Sequence, residues 1–382
     1  MRVLMVEPGG IGGMYAYADG LSRGLTQVGL DVTVLTCSLW PEGPAPYAVA
    51  PGLLPVLEPK RTWSRLHWAA DRLRRTLTNS LRRNSFGARS PFDVVHMQGG
   101  VPLVDQVLLR PLAWRRAVVL TVHDVQQHSE RVISRPGFLS RYFRIPRRLI
   151  VHFADGKRQM IEDWGIPPDR VDVIPHGLPA VKRCDRAVAR AQLDLAQDAS
   201  IILFFGAIRD NKGLDVLIRA MAEIRRREPG ALLVIAGRPR RDVSFQRYAH
   251  IIRECGVGEC VRLYVRFIPE DEVDVFFSAA DVVALPYLRF EAQSGVLLRA
   301  YAHGLPVVAT RVGAITELVE ADKVGIVVPP GDVEALGSGV VEALHRTSAF
   351  TKRYAAGVAA RYAWENVARL HERTYRLAIA GE

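Results

Sequence analysis

Several short stretches of the chain combine residue types that could bind an anion or take part in proton transfer. The first is a glycine cluster of Gly9, Gly10, Gly12 and Gly13, between a strand-like run and a helical pattern. Such a loop lets backbone N–H groups approach an anion at a helix N-terminus. It departs from the strict GxGxxG pattern, and no acidic residue closes the second strand-like run, which argues against a bound dinucleotide. An anion-binding loop and a plain tight turn are the two interpretations.

His123 is the second candidate, because it directly follows the strand-like run 117–122. Ligands of open α/β sheets bind at the carboxyl ends of the strands. An imidazole placed there can hydrogen-bond a hydroxyl or stabilise developing charge. We therefore predict a functional role for His123, with a purely structural histidine as the alternative.

Two cations make the third candidate. Arg209 and Lys212 lie in the loop after the run 200–205, and Gly213 opens the next helical pattern. A lysine acts as a point charge and an arginine can bind in a bidentate manner, a combination that suits a diphosphate. Solvated surface cations are the alternative.

The fourth candidate follows the run 281–285. Glu291 stands in a loop, Ser294 and Gly295 open a helical pattern, and Arg299 lies eight residues after Glu291. Backbone N–H groups at the start of this helix would make a second anion site. The Glu291 carboxylate can accept hydrogen bonds from hydroxyl groups, so this loop is a candidate binding site.

The elements that must position these residues are short apolar runs, which alternate with longer amphipathic stretches. Continuous apolar runs between helical patterns indicate parallel strands covered on both faces. The predicted strands are 2–6, 31–36, 93–97, 117–122 and 149–152 in the first half, and 200–205, 231–236, 260–265, 281–285, 306–309 and 325–328 in the second. This pattern predicts that each half forms a doubly wound, Rossmann-like α/β domain. We expect two such domains to face a central cleft.

The composition is typical of a soluble globular protein, with 49% hydrophobic and 24% charged residues. The sequence has no uncharged apolar run of about 18 residues and no signal-peptide pattern at its N-terminus. We therefore expect a cytoplasmic protein. The four cysteines do not have the spacing of a zinc site, so reduced cysteines and no metal are expected.

Taken together, the motifs resemble those of the GT-B glycosyltransferases of the large retaining family four, over nearly the whole chain. They follow the family order, and their positions are the glycine loop, VHD at 122–124, VIPHG at 173–177, the glycine-to-lysine stretch 206–213, LLVIAG at 232–237, DVVALPY at 281–287 and HGLPVVAT at 303–310. The stretch WENVARLHERTY at 364–375 resembles the last helix of the family, which crosses back to the first domain.

The resemblance implies the GT-B fold, with two Rossmann-like domains facing a cleft. Its N-terminal acceptor-binding domain would cover residues 1–178, followed by a linker over 179–198. The C-terminal nucleotide-sugar-binding domain would cover 199–360, and the returning helix 361–382. The proline- and glycine-containing stretch that follows Ile174 is consistent with this boundary.

The resemblance also implies roles for individual residues. His123 and Glu291 would line or contact the transferred sugar, and Gly12 and Gly13 would lie near the donor phosphates and the acceptor. The other contacts would be made to the donor, with Lys212, Ser294, Gly295 and Val296 at the diphosphate and Phe267 and Ile268 at the base.

Two positions depart from the family pattern. Arg299 stands where the second glutamate of the E-x7-E motif would bind the ribose hydroxyls. Ala207 stands where the family places an arginine, and we infer that Arg209 supplies the missing cation at the diphosphate. Arg299 either touches the nucleoside or faces solvent.

The function implied is that of a retaining, metal-independent glycosyltransferase of the hexosyltransferase kind. It would move a sugar from a nucleotide-diphosphate sugar to a hydroxyl of a glycan, a lipid-linked glycan or a natural product. The nucleotide sugar is a substrate, so no cofactor is expected. The alternative is a non-catalytic GT-B protein that binds a sugar nucleotide or a glycan.

Positive charge is concentrated in one region. Residues 60–148 contain 18 basic and 5 acidic side chains, whereas the rest of the chain contains 33 and 35. Within it, 61–83 has leucines at helical spacing among arginines, and 134–148 is a second basic stretch. This composition fits a helix on an anionic membrane surface, at the inner face of the membrane. A helix packed on its own domain is the alternative, and no recognised motif supports nucleic-acid binding.

Overall fold

The computed structural model describes residues 1–10, 12–55, 64–123, 136–240, 243–289 and 294–381. The chain forms two compact units. The first contains Met1–Gly177 together with Tyr362–Glu382, and the second contains Leu178–Arg361. Each unit is built on its own parallel sheet.

The first unit has a seven-stranded sheet in the order β3-β2-β1-β4-β5-β6-β7. Its strands are β1 Arg2–Val6, β2 Asp31–Cys37, β3 Ala48–Leu53, β4 Val94–Met97, β5 Ala117–Thr121, β6 Arg148–Val151 and β7 Val171–Val173. The helices that precede the second unit in sequence are α1 Gly12–Gln27, α2 Arg65–Arg89, α3 Pro102–Leu108, α4 Arg110–Arg115, α5 Pro136–Phe143 and α6 Ala154–Glu162. Buried apolar side chains on both faces of the sheet form its core.

The two outermost strands of this sheet, β3 and β7, were not predicted from the sequence. The residues of strand β3, AVAPGL, are apolar but mostly exposed, and Pro51 and Gly52 interrupt the pattern expected of a buried strand. Strand β7 has only three residues. Edge strands tolerate proline and need little burial, which is why the hydrophobic pattern does not reveal them.

The second unit has a six-stranded parallel sheet in the order β10-β9-β8-β11-β12-β13. Its strands are β8 Ser200–Phe205, β9 Ala231–Ala236, β10 Val261–Tyr264, β11 Val282–Leu285, β12 Val307–Thr310 and β13 Gly325–Val328. Its helices are α7 Arg186–Gln192, α8 Leu214–Arg227, α9 Gln246–Glu254, α10 Glu270–Ala279, α11 Gly295–His303, α12 Gly313–Asp322, α13 Val333–His345, α14 Thr347–Arg353 and α15 Ala359–Arg361.

The stretch 179–198, interpreted as a linker, is part of the second unit and contains α7. Asp185 caps this helix by accepting from the backbone N–H groups of Ala187 and Val188. Arg190 is 1% exposed and donates to the Asp281 carboxylate at 2.7 Å. A polar composition suggested a linker, but here the polar residues form a buried ion pair.

The last helix, α16 Trp364–Ala380, packs in the first unit although it follows the second in sequence. Its Trp364 ring lies against two glycines. A Cβ at Gly20 would stand 2.2 Å from that ring, and one at Gly177 would stand 2.4 Å from it. A larger residue at either glycine would displace the tryptophan, so these positions fix how α16 docks on α1.

Within the described residues, no helix has both the length and the apolar character needed to cross a membrane.

Candidate active site

In the glycine loop, residues 7–13, the side chain of Glu7 binds the backbone of two glycines that follow it. Glu7 is 2% exposed, and its carboxylate accepts from the backbone N–H groups of Gly9 at 2.8 Å and Gly10 at 2.6 Å. Burial raises the pKa of Glu7, while these two donors counteract the effect. Because the glutamate uses both amides, neither remains for a ligand. Sequence analysis did not identify Glu7, whose signal was an acidic residue directly before the glycines.

Helix α1 begins at Gly12, after the two glycines whose N–H groups Glu7 binds. No described atom outside the helix lies within 4 Å of where a Cβ would stand at Gly12 or Gly13. The first turn of α1 contains no acidic residue. The backbone N–H groups at this helix start therefore remain the candidates for an anion or a hydroxyl in the first unit.

His123 lies two residues after β5, and neighbouring side chains engage both of its ring nitrogens. Nε2 lies 3.0 Å from the Gln98 side-chain oxygen, and Nδ1 lies 3.1 Å from His152 Nε2. His152 Nδ1 lies 3.0 Å from the backbone oxygen of Ile174. Burial, followed by the effect of nearby histidines, holds the pKa of His123 well below its usual value.

His123 belongs to a larger group, the histidine cluster, whose members are Tyr17, His96, His123, His152, His176 and His371. Tyr17 is central, with its ring centroid 4.8 Å from that of His123 and 4.7 Å from that of His176. Its hydroxyl lies 3.0 Å from His371 Nε2. Burial lowers the pKa of His152 to about 4 and those of His176 and His371 to about 3. The cluster is therefore uncharged at neutral pH.

The C-terminal helix completes this cluster. His96 Nδ1 lies 2.7 Å from the Tyr375 hydroxyl, and His96 Nε2 lies 2.7 Å from the Thr121 hydroxyl. Sequence analysis singled out only His123. The other histidines gave little signal, since His152 lies at the end of the predicted strand 149–152 and His176 follows β7, which was not predicted. The contribution of α16 depends on tertiary packing.

In the second unit, the cation loop, residues 206–213, follows β8. Lys212 ends a single 3-10 turn, and Gly213 adopts a φ of 62° before α8. A Cβ at Gly213 would stand 1.9 Å from the Pro286 oxygen, so only glycine permits this packing. The close approach brings the cation loop against the segment that follows β11.

Lys212 is held over an aromatic ring. Its Nζ lies 3.4 Å from the ring centroid of Tyr287. Burial and then the nearby charge of Arg209 lower the pKa of Lys212 to about 7. The structure therefore brings the two predicted cations together, and their mutual repulsion would be relieved by an anion.

Tyr287 also reaches the start of α11, where its hydroxyl lies 3.5 Å from Ser294 Oγ. Ser294 caps this helix by accepting from the backbone N–H of Leu297 at 3.3 Å. Val296 packs against the cation loop, since a Cβ at Gly206 would stand 3.4 Å from its side chain. The predicted anion ligands Ser294, Gly295 and Val296 thus adjoin the cations. Glu291 lies outside the described residues. Tyr287, which links the two parts, was not predicted, although its position after Pro286 marks the strand end.

Arg299 is not turned toward solvent. Its side chain is 14% exposed, and Nη1 donates to Asp274 Oδ1 at 2.8 Å while Nη2 donates to the Glu270 carboxylate. Asp274 also faces His303 Nε2 at 3.0 Å and accepts from the backbone N–H of Lys182. The arginine is therefore paired with two carboxylates of α10, which explains why a cation occupies this position.

The predicted base-binding residues lie between β10 and α10. The Phe267 side chain is 65% exposed, and the Arg238 guanidinium lies 5.7 Å from its ring centroid. Ile268 is buried. An exposed aromatic ring beside a cation is a suitable stacking surface for a base. In the described part of the chain, no group of three or more His, Cys, Asp or Glu residues is arranged to hold a metal ion.

Comparison with known proteins places this geometry in a family. Residues 11–181 match the model described as Glycosyltransferase Family 4, and residues 199–346 match the model described as Glycosyl transferases group 1. The chain belongs to glycosyltransferase family 4. It is therefore a glycosyltransferase that takes its sugar from a nucleotide-sugar donor.

Among curated relatives, the transferase is 28% identical over 402 residues to a D-inositol 3-phosphate glycosyltransferase of Acidothermus cellulolyticus. The alignment covers 97% of this chain and 87% of the relative. A protein of the same description from Nocardia farcinica is 35% identical over 245 residues, which cover 61% of this chain and 53% of the relative.

Solved structures confirm the predicted GT-B fold. Sucrose-phosphate synthase from Thermosynechococcus elongatus superposes with a TM-score of 0.74 at 21% identity, covering 100% of both chains. An Anabaena protein in complex with UDP and glucose superposes with a TM-score of 0.70 at 17% identity, covering 98% of this chain and 99% of that one.

Proposed function

We propose that the second unit binds the donor diphosphate between Lys212, Arg209 and the start of α11. The observation that supports this proposal is the environment of Lys212. Its side chain is largely buried beside a second cation, Arg209, and its pKa is lowered to about 7. Two neighbouring cations repel each other, and a bound diphosphate would relieve that repulsion. Backbone N–H groups at Ser294, Gly295 and Val296 add hydrogen-bond donors, as helix N-termini do.

We propose further that transfer retains the anomeric configuration and needs no metal ion. The bond between the sugar C1 and the phosphate oxygen breaks, and its electron pair stays on the phosphate. The acceptor oxygen bonds to C1 on the same face, and its proton passes to the departing phosphate oxygen. Lys212 and Arg209 stabilise the charge that develops on the diphosphate. Glu291 and His123 are proposed to contact the transferred sugar.

We assign the acceptor hydroxyl to the first unit, at the open start of α1. The curated relatives are described as D-inositol 3-phosphate glycosyltransferases. A phosphorylated polyol is therefore the first acceptor to test. A glycan, a lipid-linked glycan and a natural product complete that set. The nucleotide sugars to screen are those of UDP, GDP, ADP and dTDP.

The decisive experiment compares Lys212→Ala with Lys352→Ala, which removes an exposed lysine of α14. Loss of one charged stabiliser of a developing oxyanion lowers turnover about 10²–10³-fold. We expect this loss for Lys212→Ala and near-normal turnover for Lys352→Ala. NMR of the product gives the anomeric configuration, and an inverted product would contradict the retaining reaction.

Equal turnover in the two lysine variants would contradict the diphosphate assignment. If a nucleotide sugar raises the melting temperature but no acceptor receives a sugar, the protein is the non-catalytic binding protein considered above. Unchanged turnover in the presence of a chelator supports the metal-independent reaction, and loss that added Mg²⁺ restores contradicts it.

We propose that α2 contacts an anionic membrane surface at the cytoplasmic face. Its leucines point outward, with Leu66 84%, Leu73 51% and Leu81 59% exposed. Its inward face carries polar as well as apolar side chains, because Arg83 is buried and donates to Asp105 Oδ1 at 2.8 Å while Phe86 packs against the core. This orientation argues against an ordinary helix packed through its leucines. The remaining predicted segments, 61–63 and 134–135, lie outside the described residues.

Vesicle flotation tests the membrane contact. Leu73→Ser with Leu81→Ser should abolish flotation with phosphatidylglycerol-containing vesicles, since both side chains would insert into the interface. Leu370→Ser is the control, because Leu370 is an exposed leucine of α16 outside the basic region. Failure of the unmodified protein to float at low salt would contradict the proposal.

A further inference from the structure

The hydrogen bonds around His123 form a chain with a fixed polarity at one end. The backbone oxygen of Ile174 can only accept, so His152 Nδ1 must carry a hydrogen. His152 is fully buried with a pKa of about 4, so it is neutral and its Nε2 has only a lone pair. His123 Nδ1, 3.1 Å away, must therefore carry the hydrogen between the two rings.

The other end of the chain is Gln98. If His123 is neutral with its hydrogen on Nδ1, then Nε2 can only accept. The Gln98 atom that lies 3.0 Å from Nε2 is the amide oxygen, while the amide nitrogen donates to Met5 Sδ. A neutral His123 therefore requires the opposite orientation of the Gln98 amide, which gives up this weak sulfur acceptor and places the N–H₂ group at Nε2. The oxygen and nitrogen of an amide exchange places when the group rotates by half a turn, with little change in shape. Gln98 is 0% exposed, so water does not replace the missing donor.

We propose that Gln98 and His152 are positioning residues that fix the protonation of His123. His152 fixes the hydrogen on Nδ1, and the Gln98 amide N–H₂ donates to the Nε2 lone pair. If instead the Gln98 oxygen faces Nε2, His123 must hold a second proton and be a cation. The two orientations of one amide therefore correspond to two charge states of His123.

This inference rests on the proposed contact between His123 and the transferred sugar, and it specifies that contact. A neutral imidazole with a free lone pair can accept from a sugar hydroxyl, which would take the place of the Gln98 amide. A cationic imidazole would only donate, and its charge would oppose the positive charge that develops on the sugar as the C1–oxygen bond breaks.

Among the described residues, no carboxylate shifts the pKa of His123, and Asp172 acts on the cluster only by raising the pKa of His371 against the larger effect of burial. The groups that face His123 are the imidazoles of His152, His176, His96 and His371 and the Tyr17 ring. Each of these imidazoles disfavours a second proton on His123 through its own positive form. Gln98 is thus the neighbour of His123 whose chemistry can be changed to favour or disfavour the cation.

The first experiment is long-range ¹H–¹⁵N NMR of the unliganded protein with ¹⁵N-labelled histidine, with the His123 signals assigned through His123→Gln. We expect His123 to be neutral from pH 6 to 9, with its hydrogen on Nδ1. A hydrogen on Nε2 at neutral pH would overturn the inference. This result does not depend on activity, so it is distinct from a failure of the proposed transfer reaction.

The second experiment uses Gln98→Glu, Gln98→Met and, as the control, His176→Gln. A carboxylate can only accept, so Gln98→Glu should make His123 a cation and raise its pKa by one unit or more. Turnover of Gln98→Glu should then be low at pH 6 and recover as the pH rises, relative to the unmodified enzyme. Gln98→Met removes the donor, so it should keep the Nδ1 hydrogen but shift the Nε2 resonance.

His176→Gln changes a cluster member whose Nδ1 pairs with the Gly177 oxygen rather than with His123. We expect it to leave the tautomer of His123 unchanged. The inference is overturned if Gln98→Glu and His176→Gln give the same His123 spectrum and the same pH profile. If Gln98→Glu does not fold, the spectra of the unmodified protein and of Gln98→Met still test the inference, since both proteins should carry the His123 hydrogen on Nδ1.

Discussion

The histidine cluster of the first unit and the cation loop of the second handle charge in opposite ways. Within the part of the chain that the structure describes, no carboxylate forms a hydrogen bond or an ion pair with the five imidazoles, and burial keeps them neutral. Lys212 and Arg209 are kept close together although both are cations. The comparison supports the proposal that the first unit receives a hydroxyl group and the second binds an anion.

The largest expected effect comes from Trp364→Ala, which removes the aromatic wall beside Tyr17 and the glycines of α1. Loss of a packed tryptophan costs about 3 kcal/mol. We expect the first unit to unfold at lower denaturant concentration, while donor binding by the second unit persists. Unfolding followed by circular dichroism, with donor titration, measures both.

Trp114→Ala is the control for this change, because Trp114 is 79% exposed. Its stability should stay within about 0.5 kcal/mol of the unmodified protein, as for most surface substitutions. Equal stability of the two tryptophan variants would show that α16 does not support the histidine cluster.

A smaller effect is expected from Arg299→Glu, which tests how strongly the second unit depends on a charge pair, in contrast to the uncharged histidine cluster of the first. The new carboxylate would face Asp274 and Glu270, which now bind the arginine. Breaking a largely buried pair while partly exposed groups remain should cost about 2 kcal/mol. Arg311→Glu, which changes the exposed pair with Glu320, should cost less than about 1 kcal/mol.

Denaturant unfolding of the second unit distinguishes these variants. If Arg299→Glu instead leaves stability unchanged and tightens donor binding, the arginine merely occupies a position that a ribose-binding glutamate would fill better.

The smallest effect concerns pH. Lys212 has a pKa of about 7 in the free protein, and a bound diphosphate favours its charged form, so binding raises that pKa. Between the two values the protein takes up a proton on binding, and donor affinity falls by up to about tenfold per pH unit as the pH rises. Calorimetry at pH 8 in buffers of different ionisation enthalpy measures this uptake.

Lys212→Arg is the matched variant, because its side chain keeps its charge over this range. We expect it to bind without proton uptake and with a weaker dependence on pH. Equal uptake by both proteins would assign the proton to another group.

Sequence patterns predicted most of the fold, because buried parallel strands are continuous apolar runs. The strands 2–6, 200–205, 231–236 and 325–328 have the same bounds in the structure. Strands β3 and β7 could not be found in this way, since their residues are held by neighbouring strands rather than by burial. The role of α7 was missed for a related reason, because Arg190 and Asp281 are far apart in sequence.

The candidate site shows a similar division. Arg209 and Lys212 could be identified because loop position and residue type suffice for a cation. The partners that set their properties, such as Tyr287 over Lys212 and Gln98 beside His123, come from other strands and could not be read from spacing. Arg299 illustrates the limit, since its pairing with Asp274 depends on the side-by-side packing of α10 and α11.

The membership of α16 in the first unit has a consequence for synthesis on the ribosome. Tyr375 and Ala378 fill the core beside β4 and β5, yet they are translated after the whole of the second unit. A nascent chain can therefore complete the second sheet while the first still lacks part of its interior. Domains usually fold from the N-terminal end as they emerge, but here the first unit needs a helix that is made after the second unit, and deletion of α16 would impair the unit whose translation begins first.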